Sequence, residues 1–340
     1  MPAPRVTVLM PVYNAAATLE AAVESLQNQT MKDFELVAVD DGSTDGSRSI
    51  LRARQQTDPR LRPAFESHRG LVAALNRGLE LSRGHLIARM DADDLSHPRR
   101  LEKQVRHLDA HPGVSVVGSL VRCFPDNQVR EGFRIYQDWI NHLVSHGDIV
   151  REIFIESPIV HPTAMVRRHE LLALGAYQDR GWAEDYDLWL RYFAEGRRFA
   201  KVAEVLLSWR DHPGRLSRAD SRYSVENFLR AKAFYLARGP LQKRDAVIVW
   251  GAGKTGRRLS KHLVREGCPL AAFVDIAPAK IGRTLHNRPI VRPADLPALW
   301  RRWDRPQLLA AVSSRGARAL IRRQLARLNL EEGKDFLCVA

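Results

Sequence analysis

Cysteine is scarce in this chain: Cys123, Cys268 and Cys338 stand alone among 340 residues, far apart and in no Cys-x-x-Cys or Cys/His spacing. That excludes a disulfide framework and a structural zinc site as organising devices, and it fits a reducing, cytoplasmic setting. Long hydrophobic runs are missing as well. No stretch approaches the roughly 18 consecutive apolar residues of a membrane span, and the opening Met-Pro-Ala-Pro-Arg lacks the apolar region of a secretory signal. No internal repeat or low-complexity tract is present either. What remains is a chain that is 45% hydrophobic and 27% charged, enough apolar material for true cores. At about 100–200 residues per domain, the length predicts two.

Acid is in short supply only towards the C-terminus. Residues 1–240 carry 33 basic and 31 acidic side chains, whereas residues 241–340 carry 20 and 8, so +12 of the net +14 belongs to the last hundred residues. So sharp a change predicts a boundary near Gly239, with one domain over 1–239 and a basic one over 240–340. The excess reads as Arg-rich solvated helix faces or as a surface for anionic lipid headgroups and peripheral membrane contact. With no recognisable nucleic-acid motif and little aromatic interleaving, a nucleic-acid partner is disfavoured.

Periodicity predicts strands at Val6–Met10, Phe34–Val39 and His85–Met90, and helices at Ala15–Gln29, from Thr44 or Asp45 towards Gln56, at Leu71–Leu81 and at Pro98–Leu108. This alternation indicates an α/β sheet flanked by helices. The pattern weakens from Val114 to about Asp148, then yields strands at Pro162–Arg167 and Glu204–Trp209 and helices at Asp185–Ala194 and Ser221–Ala237. A second α/β unit restarts at Ala246–Trp250, with further strands at Ala271–Val274 and Leu308–Val312. This periodicity therefore predicts a parallel sheet with helices on both faces, followed by a small parallel α/β domain.

Three strand ends in the first domain are acidic or polar loops: Pro11-Val-Tyr13-Asn14, Asp40-Asp41-Gly42-Ser43 and Asp91-Ala-Asp93-Asp94. Ligands of open α/β sheets bind beyond the carboxyl ends of the strands. Crowded Asp side chains there repel one another unless a cation compensates, and Asp-x-Asp can offer two carboxylates to Mg²⁺ or Mn²⁺. One such loop could be a helix cap; three at one sheet edge point to a site.

The segments Val6-Thr-Val-Leu-Met-Pro-Val-Tyr-Asn14, Leu26-Gln-Asn-Gln-Thr30, Phe34-Glu-Leu-Val-Ala-Val-Asp-Asp-Gly-Ser-Thr-Asp45, Ala74-Leu-Asn-Arg-Gly78 and Ile87-Ala-Arg-Met-Asp-Ala-Asp-Asp94 together resemble glycosyltransferase family 2, over about residues 4–220. The resemblance implies a GT-A fold, an α/β mixed sheet flanked by helices that binds a nucleotide-sugar, and inverting transfer from a nucleoside-diphosphate sugar, UDP-type being favoured, to a carbohydrate or lipid-linked acceptor in surface-polysaccharide or glycolipid synthesis. It implies that Pro11 and Tyr13 line the nucleobase pocket, that Asp41 hydrogen-bonds the base with Asp40 beside it, and that Asp91 and Asp93 form the metal motif, Asp93 being the direct ligand. Asn76 and Arg77 fall near the nucleotide; Arg69 is a nucleotide contact or a solvated loop residue. Asp185, in Trp182-Ala-Glu184-Asp185, matches the catalytic base. Arg210 lies in the closing loop near the pyrophosphate, where His212 is a third metal or phosphate contact or a turn residue. A rival nucleotidyltransferase reading lacks its Gly/Arg/Lys-rich phosphate loop after the first strand; a catalytically inactive nucleotide-sugar scaffold is the other alternative.

In the second domain, Gly251-x-Gly253-x-x-Gly256 follows a strand and opens a helix, and Asp275 lies nineteen residues beyond Gly256, as in dinucleotide-binding loops. About 100 residues is half of a full dinucleotide fold, and no acid/base pair for redox chemistry stands out. A nucleotide or sugar-nucleotide site and a structural, oligomerising module both remain open, with NAD(P) disfavoured. The stretch also resembles small Rossmann-like domains found beside sugar-modifying enzymes.

Overall fold

The computed structural model describes residues 3–340, and the chain forms two compact units. The first runs through Ile149 and takes in Pro158–Arg180 and Glu184–Ala219; the second takes in Val150–Ser157, Gly181–Ala183 and Asp220–Ala340.

Elements of the first unit are β1 (Val6–Val12), α1 (Ala16–Gln27), β2 (Phe34–Asp41), α2 (Ser47–Thr57), β3 (Leu61–Glu66), α3 (Leu71–Leu81), β4 (Leu86–Arg89), β5 (Leu95–Ser96), α4 (Arg100–Ala110), β6 (Val114–Phe124) and α5 (Glu131–Asn141). Then come α6 (His146–Glu152), whose last turn enters the second unit, β7 (Met165–Arg167), α7 (Arg168–Ala173), α8 (Glu184–Ala194), β8 (Arg198–Arg210) and α9 (Leu216–Ala219). Eight strands make one sheet in the order β3-β2-β1-β4-β7-β6-β8-β5. Strands β1 to β4 run parallel; β7 is antiparallel to β4 and β6, and β5 to β8. The sheet is mixed, as the family resemblance implies, rather than parallel throughout as the periodicity predicts.

Every residue of β1 and β2 is buried. Strands covered on both faces need continuous apolar sequence, which Val6–Val12 supplies. Helix α1 closes one face with Leu19, Ala22, Val23 and Leu26, and α4 adds Leu101, Val105 and Leu108 to the same core. Strand β1 runs through Pro11 to Val12 rather than stopping at the proline. By then β4 has ended opposite Leu9, so Pro11 borders β2 alone, opposite Val39. The weakly patterned stretch after Val114 holds the long β6, and eight of its eleven residues are buried, which erases the alternation of a half-exposed strand. Because β1, β2 and β4 are parallel, the loops after Val12, Asp41 and Arg89 emerge on one sheet edge.

The second unit contains α10 (Val225–Arg238), β9 (Ala246–Trp250), α11 (Lys254–Arg265), β10 (Leu270–Val274), β11 (Thr284–Leu285), β12 (Arg288–Val291), α12 (Leu296–Trp300), β13 (Pro306–Ala310), α13 (Ala317–Arg327) and β14 (Phe336–Cys338). The sheet order is β11-β12-β10-β9-β13-β14, parallel apart from β11, with the first strand, β9, in the middle. The two short inserted segments are tied into this unit. The carboxylate of Glu152 accepts from Arg318 Nη1 at 3.1 Å and Arg322 Nη2 at 2.5 Å, Lys232 Nζ donates to the Ile155 carbonyl at 2.7 Å, and Trp182 packs on Phe234 with centroids 5.7 Å apart. No helix among the described residues is long and apolar enough to cross a membrane.

Two glycines of the second unit have no substitute. Gly251 has φ +115°, and a Cβ there would lie 2.8 Å from Val312 Cγ2; a Cβ on Gly256 would lie 1.8 Å from the Gly251 carbonyl oxygen. Gly256→Ala must therefore push α11 off β9, an overpacking cost of about 1–3 kcal/mol or more. Chemical denaturation of the full chain should show that loss; wild-type stability would mean that helix and loop do not approach so closely.

Candidate active site at the sheet edge

The loop after β4 concentrates acid. One carboxylate oxygen from each of Asp91, Asp93 and Asp94 lies within 4.8 Å of the others. Asp91 and Asp93 are half-buried and Asp94 is buried. Burial first, and the Asp91 charge second, raise the Asp93 pKa; burial, then Asp93 and Asp91, hold that of Asp94 well above the usual carboxylate range. Three groups partly offset this repulsion. Arg89 Nη2, 3% exposed as a residue, donates to Asp91 Oδ1 at 2.6 Å. Arg210 donates its backbone N–H to Asp94 Oδ1 at 2.8 Å and Nε to the Asp93 carbonyl at 2.6 Å. His212 Nε2 lies 3.0 Å from Asp93 Oδ2. Asp94 Oδ2 is left buried with no hydrogen-bond partner. An unpartnered buried carboxylate oxygen beside two further carboxylates and an imidazole is a donor set that suits a hard divalent cation.

The neighbouring loops hold the other expected residues. Tyr13, 49% exposed, stacks on His68 with ring centroids 4.2 Å apart and planes at 23°. Pro11 is buried inside β1. Asp41 accepts the backbone N–H groups of Arg69 and Gly70, each at 2.8 Å, on separate oxygens, and its Oδ2 lies 2.9 Å from His68 Nδ1. It thus pins the 68–70 loop beneath the Tyr13–His68 stack. Asp40 Oδ1 accepts from Arg48 Nε at 2.6 Å, and its buried Oδ2 has no partner. The Arg69 side chain is exposed. Arg77 forms ion pairs with Glu66 at 2.7 Å and Glu80 at 3.1 Å.

Asn76 exchanges two hydrogen bonds with the backbone of Tyr177: Nδ2 donates to the carbonyl at 2.9 Å and Oδ1 accepts the N–H at 3.0 Å. The Tyr177 hydroxyl sits 3.2 Å from His161 Nε2, and His161 Nδ1 lies 3.7 Å from Glu184 Oε1. Burial, and Arg89 after it, lower the His161 pKa and favour the uncharged imidazole. Asp185 follows Glu184 in the first turn of α8, half-buried, its Oδ1 accepting the Tyr186 N–H at 2.7 Å.

The structure thus brings Asp91, Asp93, Arg210 and His212 together, and separately Tyr13 with Asp41. Sequence reasoning missed His68, a lone histidine in a loop with no local signal, and Arg89, whose place one residue before Met90 at a strand end was the available hint. Asp94 stands in the same motif as Asp91 and Asp93, and three acids in four positions are its signal in the sequence. In the second unit, Asp275 is engaged by the N–H groups of Ala252 and Ala277 at 2.8 and 2.9 Å and by Lys280 Nζ at 2.9 Å, while Gly253 leads into α11.

The mixed sheet is that of a GT-A fold, with an acidic cluster at the edge where its parallel strands end. The sequence matches the Glycosyl transferase family 2 model over residues 7–174. It is 32% identical over 207 residues to the amylovoran biosynthesis glycosyltransferase AmsE of Erwinia amylovora, covering 60% of this chain and 75% of that one. The chain belongs to glycosyltransferase family 2. Its fold is similar to that of S. aureus TarS residues 1–349 in complex with UDP-GlcNAc (TM-score 0.57, 19% identity, 77% of this chain and 72% of that one). It is also similar to the mannosyltransferase PcManGT of Pyrobaculum calidifontis in complex with GDP-Man and Mn²⁺ (TM-score 0.50, 21% identity, 97% and 81%).

With both ends of its amide committed to Tyr177, Asn76 is a clamp between α3 and the 176–178 loop. Asn76→Ala should cost about 1–3 kcal/mol in urea unfolding, the penalty for stranding two backbone groups, while nucleotide affinity stays within about twofold. Lost affinity at unchanged stability would instead place the side chain on the donor.

Proposed function

We propose that this glycosyltransferase is inverting and metal-dependent, moving a sugar from a UDP-type nucleoside-diphosphate donor to a hydroxyl of a carbohydrate or lipid-linked acceptor. The observation that carries this reading is the cluster of Asp91, Asp93 and Asp94 with a buried, unpartnered oxygen at the edge where β1, β2 and β4 end. TarS and PcManGT support a nucleotide-sugar donor, PcManGT supports a divalent cation, and the name of AmsE supports polysaccharide synthesis.

On this reading Asp93 and Asp91 hold Mn²⁺ or Mg²⁺, with Asp94 and His212 beside them. A divalent ion bound there supplies electrostatic stabilisation to the departing diphosphate. Arg210, already fixed to the Asp93 and Asp94 loop, adds a cation on the same side. Tyr13 and His68 offer an aromatic shelf to the base, and Asp41 keeps the loop beneath it in place. Asp185 takes the proton of the acceptor hydroxyl as its oxygen attacks the anomeric carbon from the face opposite the diphosphate; the carbon–oxygen bond to the phosphate breaks, and the pair of electrons leaves with the nucleoside diphosphate. In the second unit, the Asp275 carboxylate is taken up by the 251–256 loop through Ala252 and by its own loop through Ala277 and Lys280, which favours the structural reading of Gly251, Gly253 and Gly256; no NAD(P) chemistry is proposed there.

Two substitutions test the assignment. Asp185→Asn should lower kcat by about 10²–10⁴-fold, the worth of a positioned general base, with nucleotide affinity retained in calorimetry; unchanged turnover would remove Asp185 from the chemistry. Asp93→Ala should abolish the increase in UDP affinity caused by Mn²⁺, read by titration without any turnover, and an unaltered metal effect would sink the ligand assignment.

A further inference from the structure

The outer face of α11 carries a row of cations with no acid among them. Lys254, Arg257, Arg258, Lys261 and Arg265 are all exposed. At 3.6 residues per turn they fall within an arc of about 100°, along roughly 17 Å of helix. The opposite side, with Leu259, His262 and Leu263, is buried against the unit's own core, so the row faces outward. None of the five is in a salt bridge among the described residues. Two carboxylates of this region are spoken for: Glu226, which feels Lys261 and Arg258, lies 2.8 Å from His262 Nε2, and Glu266 accepts from Arg238 Nη1 at 2.6 Å.

Folding gains nothing from this arrangement. Lys254 and Arg258, Arg257 and Lys261, and Lys261 and Arg265 are like-charged pairs at i,i+4, a spacing that destabilises a helix. An Arg-rich composition does not require a full row of unpaired cations either, because two of the four arginines of α13 are matched with acid. Arg318 pairs with Glu152, and Arg322 with both Glu152 and Glu332.

We propose that this face of α11 is an electrostatic docking surface for a bilayer bearing anionic phospholipid headgroups. Clusters of four to eight Lys/Arg on an amphipathic helix are the signature of such contacts. The helix sequence contains no Phe, Trp or Tyr on which a nucleic-acid base could stack, and a straight cationic line suits a planar array of phosphates. Its apolar side is committed to the fold, with only Val264 half exposed at the margin of the row. The contact is therefore adsorption through charge without insertion, and it stands whatever sugar the first unit transfers.

The test is co-sedimentation of the full chain with vesicles of phosphatidylcholine containing about one-third phosphatidylglycerol, at low salt. The wild-type chain should bind these and not pure phosphatidylcholine, and should be released at about 0.5 M NaCl, where screening reaches within a few ångströms. Arg258→Gln/Lys261→Gln/Arg265→Gln should lose about a hundredfold in partitioning, each lost cation at the docking face being worth roughly a factor of five, whereas Arg323→Gln/Arg327→Gln on α13 should stay within about twofold. Circular dichroism and UDP titration report whether the triple variant is folded; if it is not, Arg258→Gln and Lys261→Gln singly should each give a graded loss. The proposal is overturned if the wild type ignores anionic vesicles, binds them undiminished in high salt, loses as much through α13 as through α11, or binds single-stranded RNA in their place.

Discussion

Repulsion among Asp91, Asp93 and Asp94 is the constraint around which the first unit is arranged. Three carboxylates within 4.8 Å, one of them buried, stand at the end of the short central strand β4. The loop stays together because cations and N–H groups converge on it from distant parts of the chain. Arg89 comes from inside the sheet, while Arg210 and His212 come from the far end of β8 more than a hundred residues later. The antiparallel pairing of β5 with β8 delivers that second group, since Leu95 and Ser96 lie opposite Ser208 and Leu207. The two-residue strand β5 thus brings a late segment of sequence alongside an early acidic loop.

Beneath the loop, Tyr177 links several parts of the unit. Its backbone is gripped by Asn76 from α3, its hydroxyl reaches His161, and His161 in turn faces Glu184, the neighbour of Asp185. An imidazole whose burial favours the uncharged form can take part without adding another charge to a region already crowded with acid and with the buried Arg89. The proposed base is thereby joined to the scaffold that carries the acidic loop, through groups whose orientation is fixed by burial.

The sequence was most legible where one physical signal was local and strong. Helix α3 has the expected limits, Leu71–Leu81, because its apolar residues recur at helical spacing and Gly70 and Ser82 bound it. Strands β1 and β2 were visible as apolar runs ending in turn residues. Strand β6 was not, because burial along nearly its whole length leaves no alternation to read. At the site, Asp91 and Asp93 announced themselves by spacing, whereas the roles of Arg89 and His68 depend on strand order and loop packing. Asn76 and Asp41 were recognised by position, but the hydrogen bonds that occupy them are made with backbone groups, which carry no identity in a sequence. The charge division was legible as composition; that five cations align on α11 while two of the four arginines of α13 are paired with acid needed the folded arrangement to be known.

The chain passes between its two units several times. Val150–Ser157 and Gly181–Ala183 belong to the second, although residues on either side belong to the first. Glu152, Ile155 and Trp182 are bound by Arg318, Lys232 and Phe234, all later in the chain. In inheritance, such a protein is not a pair of beads. A recombination joint placed after the first sheet would orphan three interior partners at once, so the basic unit cannot be exchanged for another without rewriting two stretches inside the catalytic sequence. Any change of cargo or address in this lineage is therefore expected to arise by substitution on exposed faces rather than by swapping of the module.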